Sequence, residues 1–105
     1  MRKISELSVQ AFLSGTPFKN GNMKVFGNKE NTLLTLHDNV IASKQDNRLI
    51  LTDSGWQTVT TKERLNAVLN AIGSEWRIYQ LAGVWYITDG CGKRENWNGT
   101  MEVTL

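Results

Sequence analysis

Residues that could do chemistry are few in this chain of 105, and they lie far apart. Histidine occurs once, as His37 beside Asp38, and cysteine once, as Cys91 between Gly90 and Gly92. A histidine oriented by a carboxylate can act as a general base, but neighbours on a strand point to opposite faces, so Asp38 is badly placed to orient His37. Cys91 as a nucleophile would need His37 to reach it from a distant strand. One histidine, one cysteine and carboxylates on separate turns (Asp38, Asp46, Asp53) supply neither the spacing of a zinc site nor a calcium loop. The expectation is a protein that is not an enzyme and holds no metal or other cofactor.

What remains is the stretch Leu51 to Gly73, where a tryptophan turn runs into a helix. Thr60 stands three residues before Glu63, which reads as a capping box. On that reading the first-turn amides, with Lys62 and Arg64 close by, could receive an anion, and Trp56 could stack on a base. Glu63 opposes such an anion, and Trp56 could equally plug the space between helix and sheet. Arg64 then falls where an apolar residue would staple to Val59, with a guanidinium free to project past the helix start. The candidate ligand contacts are Trp56, Thr60, Thr61 and Arg64, with Asn66 and His37 as further polar groups.

The elements that must position these residues follow from periodicity. Ile4, Leu7 and Ala11, widened by Phe12 and Leu13, predict a short helix over about 4–14, ended by Gly15. Leu65, Val68, Leu69 and Ile72 give the apolar face of a central helix over about 60–72, ended by Gly73. Between the helices, short runs separated by polar turns read as an antiparallel meander: 23–26, 32–37, 40–44 and 48–52. After the central helix, 76–81 and 84–88 flank Ala82-Gly83 as a hairpin, and Thr100 to Leu105 alternates as a last strand. The fold class is α+β: a small antiparallel sheet or two hairpin layers around the central helix, as one domain over 1–105.

Composition narrows function further. Hydrophobic residues at 40% and charged residues at 21% are those of a globular chain. Twelve basic residues interleave with ten acidic ones, and the local cluster Lys93-Arg94 is opposed at once by Glu95, so nucleic acid is not an expected partner. Four tryptophans, Trp56, Trp76, Trp85 and Trp97, keep single-strand stacking as a minor alternative. No apolar run reaches membrane-spanning length, and the polar residues in 1–13 break any secretion signal. A cytoplasmic protein is expected, and the Asn98-Gly99-Thr100 triplet is then a chance match to a glycosylation acceptor.

Two stretches together carry a resemblance: Leu36-His37-x-Asn39-x-Ile41-Ala42, and Gly55-Trp56-x-Thr58-x-Thr60-Thr61-x-x-Arg64-Leu65-Asn66. The pattern, covering about a third of the chain, resembles small orphan proteins of tailed bacteriophages, with Asp38 where those proteins carry a turn glycine. The resemblance implies phage origin and a bacterial host cytoplasm, and brings no established activity. A small phage protein without catalytic equipment is expected to act by binding, as a counter-defence or host-takeover factor. The favoured expectation is capture of a nucleotide-type molecule, a cyclic nucleotide or ADP-ribose-like signal. The alternative is an inhibitor of a host protein, anchored by Trp85, Tyr86 or Trp97. Open sheet edges leave homo-oligomers possible.

Overall fold

The structure is a computed structural model that describes residues 3–105, with side chains from residue 6 onward. Helix α1 (Lys3–Ser14) opens the described chain. It is followed by strands β1 (Phe18–Asn20), β2 (Met23–Gly27), β3 (Asn31–Leu36), β4 (Asn39–Gln45) and β5 (Arg48–Thr52). Helix α2 (Val59–Ala71) comes next, then β6 (Arg77–Leu81), β7 (Val84–Thr88), β8 (Arg94–Asn96) and β9 (Thr100–Thr104). The fold is α+β and mostly sheet. All strand pairs are antiparallel, in a six-stranded sheet β1-β2-β3-β4-β5-β9 and a three-stranded sheet β6-β7-β8. The last strand therefore leaves its sequence neighbours and returns to pair with β5, Arg48 opposite Thr104 and Thr52 opposite Thr100.

Tight turns make the meander possible. His37 (φ 51) and Asp38 (φ 65) form a two-residue loop between β3 and β4, and Ala82 (φ 52) and Gly83 (φ 81) do the same between β6 and β7. Positive φ at both central residues is the arrangement whose twist suits flanking strands. His37 thus belongs to the turn and not, as its sequence context predicts, to the end of β3; the turn holds its left-handed residues without a glycine. Gly27 (φ 106) is a different case: a Cβ there would run into the Asn31 carbonyl oxygen, so the β2–β3 turn admits glycine alone.

Both helices and both sheets contribute to one apolar cluster. Phe12 and Val9 of α1 meet Met23, Leu34 and Leu51 of the large sheet, Leu65, Val68 and Leu69 of α2, and Ile78, Trp85 and Ile87 of the small sheet. Each large side chain so buried contributes about 1.5–3 kcal/mol. The apolar face expected for α2 is the one observed. That of α1 is rotated: Val9, Phe12 and Ser8 face inward while Leu7 is exposed, because α1 packs simultaneously on α2 and on β1 to β3, which a stripe read on one face does not anticipate. Ile4 lies outside the described side chains. Two strands escaped the periodicity reading, β1 and β8, each of three mostly exposed residues with no alternation to detect.

Candidate functional site

The start of α2 differs from the capping box that the sequence predicts. The N-cap is Thr58, extended at φ −108 and ψ 162, and its hydroxyl accepts the Thr61 amide at 3.1 Å. Helix geometry begins at Val59, two residues earlier than a Thr60 cap allows, so Glu63 is too far along to reach back. Glu63 instead pairs with Arg64. Arg64 does not project past the helix start: only 5% exposed, it lies along the buried side of α2. Asn66 turns to the small sheet, where its amide donates to the Ile78 carbonyl and accepts the Ile78 N–H, both at 2.8 Å. That pair imitates a neighbouring strand and ties α2 to β6. Lys62 lies over the Trp85 ring at 5.9 Å.

Trp56 is not a plug. It is 59% exposed, held by a turn whose geometry Asp53 dictates. The Asp53 carbonyl accepts the Trp56 amide at 2.8 Å, and its carboxylate accepts the Gly55 amide at 2.8 Å, the Gln57 side chain at 3.2 Å and the Trp97 indole N–H at 2.9 Å. A buried carboxylate survives only with such donors around it. Its anchoring leaves the Trp56 ring beside a cleft of about 250 Å³. Leu36 and Ile41, both buried in the large sheet, form its apolar floor, and His37 and Asn39 stand at the β3–β4 side. Thr58 and Thr61 close the helix side, their hydroxyls 3.0 Å apart. Asp53 places a carboxylate in the wall.

Of the six residues expected at a site, then, the cleft gathers His37, Trp56 and Thr61. Thr60 is half-buried in the first turn of α2, and Arg64 and Asn66 serve the helix and the small sheet. Asp53 and Thr58 were not anticipated. Asp53 had a readable signal in Asp53-Ser54-Gly55, a turn triplet before an aromatic, but nothing in the sequence indicates that Trp97, 44 residues on, is its partner. Apart from Asp53, every residue lining the cleft belongs to one of the two stretches quoted above, 36–42 and 55–66, which the fold brings face to face.

On the far side of His37, in a separate depression with Gly21 and Asn22, Lys24 donates to Asp38 at 2.9 Å. That hydrogen bond, and then the charge of Lys24, holds the Asp38 carboxyl below its usual value. The cleft thus carries a carboxylate, whereas the lysine of the neighbouring depression is already paired. An anion finds neither lysine nor arginine among the residues lining the cleft. A flat ring with N–H donors matches it better, stacking on Trp56 and donating toward Asp53. The proposed host-protein anchors change as well. Trp85 and Trp97 are buried at 3% and 7% exposure, because they pack in the common core, and Tyr86 is stacked on Tyr79 at 5.6 Å beneath Arg94.

The model of the Kyanoviridae Gp96 protein family matches residues 1–104, and the chain belongs to that bacteriophage family. Neither the curated proteins nor the solved structures contain a match to it. Among the described residues no helix is long and apolar enough to cross a membrane.

Proposed function

We propose that this phage-family protein is a non-enzymatic binding protein that takes the ring of a nucleotide-type small molecule in the cleft under Trp56. The observation that carries the reading is the exposed Trp56 ring beside an apolar floor with a carboxylate in the wall. A tryptophan left 59% exposed forgoes burial worth about 2–3 kcal/mol. A stacking partner recovers that surface. The base enters with its N–H edge toward Asp53, and its ribose and phosphate stay at the mouth, in solvent. Arg64 has no part in this arrangement, and Thr61 contributes its side chain and not its amide, which Thr58 already occupies. In an infected cell such a protein would act in the host cytoplasm by sequestering a cyclic nucleotide or ADP-ribose-like signal of the host's defence.

Calorimetry with a panel of cyclic dinucleotides and ADP-ribose derivatives tests it. Binding is expected for at least one of them, and Trp56→Ala should abolish it without moving the melting curve. If the folded protein binds none of the panel, the nucleotide reading is withdrawn. A second reading is supported by Val59, 66% exposed three residues after Trp56 in the chain: the two could anchor a host protein instead. Val59 lies outside the cleft, so Val59→Asp separates the two. It should leave nucleotide binding intact and disrupt a protein complex.

A further inference from the structure

The ends of a β-sheet expose backbone groups that natural proteins protect, and the four sheet edges among the described residues are not protected alike. β1 is three residues long and follows Pro17, which has no N–H to offer. On β6 the Asn66 amide takes both backbone groups of Ile78. β8 is again three residues, led by Arg94 and Glu95. β9 is the exception, with five residues, no proline and an outward backbone group clamped by a side chain only at its first residue, Thr100.

The hydrogen bonds that bracket β9 tell which of its backbone groups point outward. Asp53 N–H donates to the Gly99 carbonyl at 3.1 Å and Leu105 N–H to the Asn47 carbonyl at 2.7 Å. Bonded and unbonded residues alternate along an antiparallel strand, so Met101 and Val103 face β5. The N–H and C=O groups of Glu102 and Thr104 then face away from it; Thr100, which also faces out, has its N–H taken by the Asn98 side chain at 3.2 Å. Along this edge runs a groove of about 400 Å³ with Trp76, Ile87, Met101 and Val103 as its apolar surface. Its charged lining side chains are Glu95, 3.9 Å from the Lys93 ammonium, and Glu102, bonded to Arg48 at 2.9 Å, and no basic residue lines it.

We propose that β9 receives an extended segment of a partner protein as a seventh strand of the large sheet. The segment's backbone pairs with Glu102 and Thr104, its alternate apolar side chains cover Met101, Val103 and Trp76, and a basic side chain meets Glu95. Main-chain bonds give such strand addition its affinity and alternate side-chain positions its selectivity. A second copy of this chain fits less well, because its own groove is lined by the same Glu95 and Glu102 and the cations beside them, Lys93 and Arg48, are already engaged with those carboxylates. This surface is separate from the Trp56 cleft and does not depend on it.

A short synthetic peptide alternating valine and lysine is the probe, with amide exchange followed by NMR. On adding it, the Glu102 and Thr104 amides should slow by about tenfold or more, while the Met101 and Val103 amides, already bonded, change little. Thr104→Pro removes one outward donor without touching the β5 ladder and should weaken binding about tenfold. The same peptide N-methylated at alternate residues tests the point without altering the protein, and should not bind. Failure of the plain peptide to bind at millimolar concentration overturns the proposal. So does binding that survives N-methylation, or that leaves Glu102 and Thr104 unprotected. Protection that grows with protein concentration in the absence of peptide would assign the edge to a second copy, and would equally overturn it.

Discussion

Trp56 and Trp97 stand on either side of one carboxylate, and they use it in opposite ways. Trp97 is 7% exposed and gives its indole N–H to Asp53, so that ring and carboxylate each satisfy the other's burial. Trp56 receives from Asp53 only a turn: its amide is held and its ring is left 59% exposed over the cleft. The same residue type, with the same side-chain volume, is cement in one place and a presented surface in the other. The difference lies in what the neighbouring backbone does. Trp97 continues the β7–β8 pairing, its N–H bonded to the Trp85 carbonyl at 3.0 Å, whereas Trp56 sits in an open turn before a helix.

The contrast is sharpest in stability. Asp53→Ala should cost about 3 kcal/mol, because it strands the buried Trp97 donor and releases the Gly55 turn together. Urea denaturation measures this, and a cost under 1 kcal/mol would break the comparison at its centre. Trp97→Phe keeps an aromatic ring but removes the donor and part of the bulk, and about 2 kcal/mol is expected in the same assay. Thr58→Ala should cost about 1 kcal/mol through the lost cap, and Thr60→Ala only a few tenths, which reverses the order that a capping box at Thr60 would give. Trp56→Ala should change stability by less than about 0.5 kcal/mol, since an exposed ring leaves neither a cavity nor an orphaned donor. If Trp56→Ala destabilised as much as Trp97→Phe, the two tryptophans would be alike after all.

Legibility in the sequence followed the range of the interactions involved. The apolar face of α2 is written in Leu65, Val68 and Leu69, and the hairpins in dipeptides such as Ala82-Gly83, because those features depend on residues only a few positions apart. The position of the cap was not legible: Thr58, Thr60 and Thr61 all carry a hydroxyl, and the choice among them depends on where the chain leaves β5. The burial of Trp85 and Trp97 was equally hidden, since it requires the small sheet to close on α2. Arg64 illustrates the same limit from the other side. Its charge suggested a ligand, but its angle on the helix carries it inward, next to Glu63. Of the cleft, Trp56, Thr61 and His37 could be named in advance, but not Thr58 or the carboxylate that completes it.

The return of β9 to β5 carries a cost in time. Strands β1 to β5 pair between near neighbours, so they can zip up as soon as they exist, but Arg48 waits for Thr104. During synthesis the ribosome must therefore make roughly half of the chain again after β5 before that edge is covered, and contacts so distant in sequence are slow to close. Asp53 passes through the same interval without its indole, with water as its partner. The turn that presents Trp56 thus acquires its final anchor among the last events of folding, and a newborn chain should complete the cleft only after that late step.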